Sequence, residues 1–200
     1  MRKLLTLISL LVLLGGCEKA PPQVAETTLW YPTAKPLAAF TLTDQFQQPV
    51  TNQQLYGHWN WLFVGYTSCP DICPMTLAKL AAVRQQLDSQ DIKIWFISVD
   101  PKRDNADKLK AYSAYFGSDI IAATAPHSAL FPFVRDLGLI YAISESESEA
   151  YSVDHSAAVA LIDPQGKLVA LFKPEFKLGE VPLIDSKTLR QDFLTIRSQY

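Results

Sequence analysis

Two apolar, aromatic runs, NWLFVGYT at residues 60–67 and IKIWFISVD at 92–100, constrain this chain more than any other feature. Each has the length and composition of a buried strand. Between them, MTLAKLAAVRQQL sets Leu77, Leu80, Ala81 and Leu87 at roughly helical spacing. NADKLKAYSAYFG (105–117) reads as a second helix, with an Asn/Asp-rich start and a glycine stop. DIIAAT suits a short strand, and PHSALFPFVRDLG (126–138) a helix disturbed in its middle by Pro132. SAAVALIDPQGKLVALF (156–172) gives two strands around a Pro-Gln-Gly turn, and DSKTLRQDFLTIRSQY a capped amphipathic helix. Upstream, LAAFTLTDQFQQPVTNQQLYGHW fits a short hairpin turning near Asp44-Gln45, and SESESEA (144–150) reads as a solvated acidic loop. The order predicts an α/β sandwich over residues 38–200, a mixed central sheet flanked by helices with an N-terminal hairpin. With 48% hydrophobic residues in 200, the chain has enough apolar side chain for one such core.

The first 37 residues read differently. MRKLLTLISLLVLLGGC places Arg2 and Lys3 before an apolar run too short to span a bilayer comfortably, which is the pattern of a secretory signal. Leu14-Gly15-Gly16-Cys17 resembles a bacterial lipobox, which makes residues 1–16 a lipoprotein signal peptide and Cys17 the lipidated first residue. EKAPPQVAETTLWYPTAKPL, with four prolines, is then expected to be an extended spacer reaching residue 37. Acyl chains on Cys17 would tether the domain to a membrane of the bacterial cell envelope, facing the periplasm, without a transmembrane helix. Glu18 follows the cysteine, and the residue at this position leaves inner against outer membrane open. Loss of residues 1–16 leaves 16 of the 18 basic residues against 20 acidic ones, a formal charge of −4. With no Lys/Arg cluster, a nucleic-acid partner is not expected.

Only Cys69 and Cys73, in YTSCPDICPM, then remain for chemistry. Pro70 and Pro74 push each cysteine toward extended backbone, so the segment is expected to turn, with Pro74 as the first helical residue. Cys73 would lie at a helix N-terminus, where the dipole and free N–H groups favour thiolate. A strand-to-helix turn is where thioredoxin-like folds carry their reactive cysteines. The C-x-x-x-C gap is looser than the C-x-x-C of a thiol–disulfide exchanger and suits two thiolates acting as metal ligands. A peroxiredoxin-type pattern fails, because the threonine stands two positions before Cys69 rather than three. A soft-metal site needs another donor. Of three histidines, His58 looks like a loop residue and His127 like a helix-start residue. His155 precedes a buried strand beside Asp154, which could orient its ring. Spacing alone leaves both the histidine and the choice between metal and disulfide open.

Together, YTSCPDICPMTLAKL, FISVDPKRDNADKLKAYSAYFG and YSVDHSAAVALIDPQGKLVALF resemble the Sco/SenC family of copper-binding proteins, over roughly residues 38–198. The resemblance implies a thioredoxin-like fold and copper, Cu(I) or Cu(II), held by Cys69, Cys73 and His155. It implies supporting acids at Asp100 and Asp154. The implied partner is the copper-centre subunit of cytochrome c oxidase, or another periplasmic copper protein, with help in assembling the dinuclear copper centre as the role. The family often reads T-H-C-P where this chain has Thr67-Ser68-Cys69-Pro70, removing a possible extra donor without touching the ligand set. Cys69 and Cys73 can hold metal or a disulfide, never both, so thiol–disulfide reduction of a partner and copper or redox sensing stand beside chaperoning as alternatives.

Overall fold

The computed structural model describes residues 22–87, 91–144 and 151–200. The signal segment 1–16, Cys17 and most of the acidic loop lie outside them. Strands β1 (Thr28–Pro36), β2 (Leu42–Asp44), β3 (Pro49–Val50), β4 (Trp59–Gly65), β5 (Ile92–Ser98) and β6 (Ile121–Thr124) are followed by β7 (Tyr141–Ile143), β8 (Val153–His155), β9 (Val159–Ile162) and β10 (Lys167–Phe172). Helices are α1 (Ile72–Gln86), α2 (Ala106–Phe116), α3 (His127–Asp136) and α4 (Ser186–Arg197).

All strands but β7 and β8 form one mixed sheet, in the order β1-β10-β9-β4-β5-β6-β2-β3. β4 and β5 are parallel neighbours at its centre, registered from Trp59↔Ile92 to Gly65↔Ser98. Every residue of β4 is buried, as the unbroken apolar run requires of a strand covered on both faces. Its side chains alternate between two cores. Trp61 and Phe63 pack with Leu77, Leu80 and Val83 of α1 and with Phe193 of α4. Leu62 and Val64 pack with Leu130, Phe133 and Val134 of α3. Burying each such aliphatic or aromatic side chain contributes about 1.5–3 kcal/mol. This is the sandwich expected from the sequence, and the β2–β3 hairpin joins its far edge through Thr43↔Thr124. Asp44 Oδ1 closes that hairpin's turn by accepting from the backbone N–H groups of Phe46 and Gln48, both at 2.8 Å.

Two features depart from expectation. Residues 28–36, expected inside the spacer, form β1, an edge strand pairing antiparallel with β10. Pro32 and Pro36 sit where an edge strand tolerates proline, and the register shifts between Trp30 and Lys35. α3 forms over the expected segment, with Pro132 inside it. β7 and β8, neither expected, form a separate two-stranded hairpin registered Tyr141↔His155. Tyr141 and Val153 seat that hairpin in the α3-side core.

Candidate metal centre

The site lies above the carboxyl ends of β4 and β5. After Gly65 the chain turns, the Cys69 N–H donating to the Tyr66 carbonyl at 3.2 Å. Asp104, 1% exposed, pins this turn. Its carboxylate accepts from the Thr67 N–H (2.8 Å), the Thr67 hydroxyl (2.6 Å) and the Ser98 hydroxyl (2.6 Å). Helix α1 then begins at Ile72, two residues before the expected start, so Pro74 is its third residue. The first helical N–H groups have no partner within a helix, so a proline there loses nothing. The proline bias toward extended backbone is overridden at Cys73, which is helical.

One of those free amides fixes the chemistry. The N–H of Cys73 donates to Cys69 Sγ at 3.4 Å, while the Asp71 side chain makes no cap hydrogen bond. Thiolate therefore forms on Cys69, correcting the expectation that Cys73 would carry it: a helix-end N–H points back along the chain, at the preceding sulfur. The Cys73 thiol and the backbone N–H groups of Cys73 and Asp71 hold the Cys69 pKa down to about 4, against burial. The proton stays on Cys73, whose pKa is raised by its hydrogen bond to Cys69 and by burial. Cys69 is partly exposed and Cys73 buried. Gly65 makes the room for Cys73, since a Cβ there would stand 2.6 Å from its sulfur and 3.0 Å from Phe96 Cε2.

His155, at the end of β8, brings Nε2 to 3.3 Å from Cys73 Sγ. Its Nδ1 lies 3.1 Å from the Ser156 carbonyl. A carbonyl only accepts, so in the neutral ring the proton sits on Nδ1 and Nε2 turns its lone pair to the sulfurs. The ring is set edge-on to Phe63 and Tyr66, at 5.9 and 6.0 Å between centroids. The ligand atoms of Cys69, Cys73 and His155 all lie within 4.8 Å of one another. Two sulfurs and an imidazole form a soft donor set, sized for one thiophilic metal ion.

The two supporting acids are placed differently. Asp154 is exposed, and the group at His155 Nδ1 is the Ser156 carbonyl. Asp100 is fully buried and bonds Arg103 and the Tyr151 hydroxyl. Arg103 Nη1 donates to the Tyr151 carbonyl at 3.1 Å, and its guanidinium lies 3.9 Å from the Tyr151 ring and 5.6 Å from that of Tyr66. The loop after β5 thus braces both halves of the site, Asp104 holding the cysteine turn and Asp100 with Arg103 the approach to β8. Asp104 and Gly65 were missed in the sequence. Two acids four apart after a buried strand, and a glycine closing an apolar run, are the signals that mark them.

The SCO1/SenC family model matches residues 32–182. The chain belongs to the SCO1/SenC family. Among its SCO1/SenC relatives, the SCO2-like protein RP587 of Rickettsia prowazekii is 30% identical over 177 residues, 86% of each chain. The copper-bound crystal structure of Arabidopsis thaliana ScoI superposes with a TM-score of 0.70 at 30% identity, covering 82% of this chain and 99% of that one. BsSco, described as having a disulfide switch and as a member of the Sco family of cytochrome c oxidase assembly proteins, shares the fold. Its TM-score is 0.63 at 20% identity, over 86% of this chain and 99% of BsSco.

Proposed function

We propose that this chain is a copper chaperone, anchored in a bacterial cell envelope by lipid on Cys17 and facing the periplasm. It binds one copper ion through Cys69, Cys73 and His155 and passes it to the copper-centre subunit of cytochrome c oxidase. The observation that carries this reading is the meeting of those three donors within 4.8 Å in a SCO1/SenC chain. The copper in Arabidopsis ScoI supports the choice of metal. Copper is cargo here, and differing exposure orders its release. Cys69 and His155 are partly exposed and Cys73 is not, so a partner's donor atoms reach the ion from the Cys69–His155 side and Cys73 lets go last. The test is absorption after adding Cu(II) to the reduced protein. Thiolate-to-copper charge-transfer bands are expected in wild type and lost in His155→Ala; equal, weak spectra from both would remove the ligand set.

The unequal thiols favour a second reading, a thiol–disulfide reductase. The Cys69 thiolate would attack a partner's disulfide, forming a mixed disulfide and releasing one partner thiolate. Cys73, giving up its proton, would then attack Cys69 Sγ, leaving a Cys69–Cys73 disulfide and both partner cysteines reduced. On this reading His155→Ala keeps reductase activity while Cys69→Ser and Cys73→Ser abolish it.

A further inference from the structure

The segment between β10 and α4 carries apolar side chains that the domain does not bury. Glu175 and Leu183 pair as an isolated bridge, the Glu175 N–H donating to the Leu183 carbonyl at 3.0 Å, which closes the segment into a projecting loop. At its tip the Glu180 N–H donates to the Lys177 carbonyl at 3.1 Å, and Gly179 takes φ +79°, the positive value that the third position of a type II turn requires. The turn puts Leu178 at its apex, fully exposed, with Phe176 82% and Val181 39% exposed beside it. Lys177 pairs with Glu175 at 3.1 Å, which leaves the exposed Glu180 as the one net charge of the loop beside its apolar tip.

Sheet direction places this loop. Thr28, Phe172, Val159 and Phe63 lie in one row across β1, β10, β9 and β4. β10 runs in the same direction as β4, so its outgoing loop, the incoming N-terminal chain and the cysteine turn share one end of the sheet. The loop leaves the sheet about 10 Å from the end of β4, two strand spacings away. The incoming chain is already folded at Val24, which packs on the core, and at Ala25, whose N–H donates to Asp192 at 3.0 Å. Six residues lie between Cys17 and Val24, and the seven steps from one to the other reach no farther than about 25 Å.

We propose that the 175–183 loop is a membrane-docking element: Phe176 and Leu178 enter the lipid interface and turn the metal-site end of the domain toward the bilayer. The occupant is lipid rather than protein because the short tether holds this end at the surface and the side chains projecting farthest, Phe176 and Leu178, are apolar. The proposal rests on the lipid anchor at Cys17. Docking is expected on zwitterionic phosphatidylcholine, with little dependence on salt.

The test uses the full lipidated chain reconstituted in phosphatidylcholine vesicles with brominated acyl chains, which quench tryptophan on contact. The emission added by Leu178→Trp is expected to be quenched at least about twofold, and that of Gln165→Trp, in the β9–β10 turn at the opposite end, to be unchanged. Equal emission from Leu178→Trp in brominated and ordinary vesicles overturns the proposal. If in that case Phe176→Ser/Leu178→Ser also slows copper transfer to an oxidase subunit, the loop is a protein-docking surface. The anchor is tested separately by fractionating Cys17→Ser: release from membranes upholds it, and retention overturns the anchor while the quenching result still decides the loop.

Discussion

Gly65→Ala perturbs the centre without altering a ligand. The added Cβ would stand 2.6 Å from Cys73 Sγ and 3.0 Å from Phe96 Cε2. The sulfur contact is about 1 Å short of van der Waals separation, and neither neighbour has an easy retreat, since Cys73 and Phe96 are both fully buried. Overpacking of this kind costs about 1–3 kcal/mol. The least obstructed adjustment is movement of the Cys73 sulfur away from β4, by most of that 1 Å, out of the position from which it meets His155 Nε2 at 3.3 Å. We expect Cu(I) affinity to fall about 10- to 100-fold, equivalent to about 1.4–2.7 kcal/mol. Competition against a chelator measures it, with thermal unfolding of the metal-free protein alongside. The double-mutant control is Gly65→Ala in a Cys73→Ala background, where the sulfur is gone and most of the stability loss should disappear. Wild-type affinity and stability in Gly65→Ala would refute the packing argument, and a full loss that persists in the Cys73→Ala background would assign the clash to Phe96.

Other expectations follow from the same geometry. Asp104→Ala leaves the Thr67 and Ser98 donors without their acceptor and should cost about 2–4 kcal/mol in urea unfolding, with weaker copper binding; exposed Asp154→Ala should change neither. Because the Cys69 pKa is depressed from 9.0 to about 4, the unfolded chain holds a proton there that the folded one lacks. Stability of the reduced, metal-free protein should therefore rise with pH between those values and lose this contribution as pH falls to about 4, with a flatter profile in Cys69→Ser. Copper loading at about pH 8, where an ordinary imidazole is neutral, should release about one proton, from Cys73 alone, in a weakly buffered titration; two would mean that Cys69 is also protonated before loading.

The central fold was legible because β4 and β5 are apolar on both faces and helical spacing lies between them. β1 was not, since TLWYPTAKP carries two prolines and only an edge position makes such a strand feasible, a fact about its neighbours. β7 and β8 are three residues each, too short for any periodicity. Cys69 and Cys73 were visible as a pair, yet the thiolate was expected on Cys73 and the geometry favours it on Cys69. Helix polarity predicts that some sulfur near the N-terminus is ionised, but which one depends on where the Cys73 amide points. His155 became a firm candidate through the family resemblance, because its register opposite Tyr141 is set by tertiary pairing. Asp104 is one polar residue among several after β5, and its burial is a consequence of the finished fold.

The most direct test of the account is X-ray absorption at the copper edge of the loaded protein. The account predicts two sulfur scatterers and one imidazole nitrogen in the first shell, with the imidazole lost in His155→Ala and one sulfur lost in Cys73→Ser. A shell containing a single sulfur, or one unchanged by His155→Ala, would contradict it.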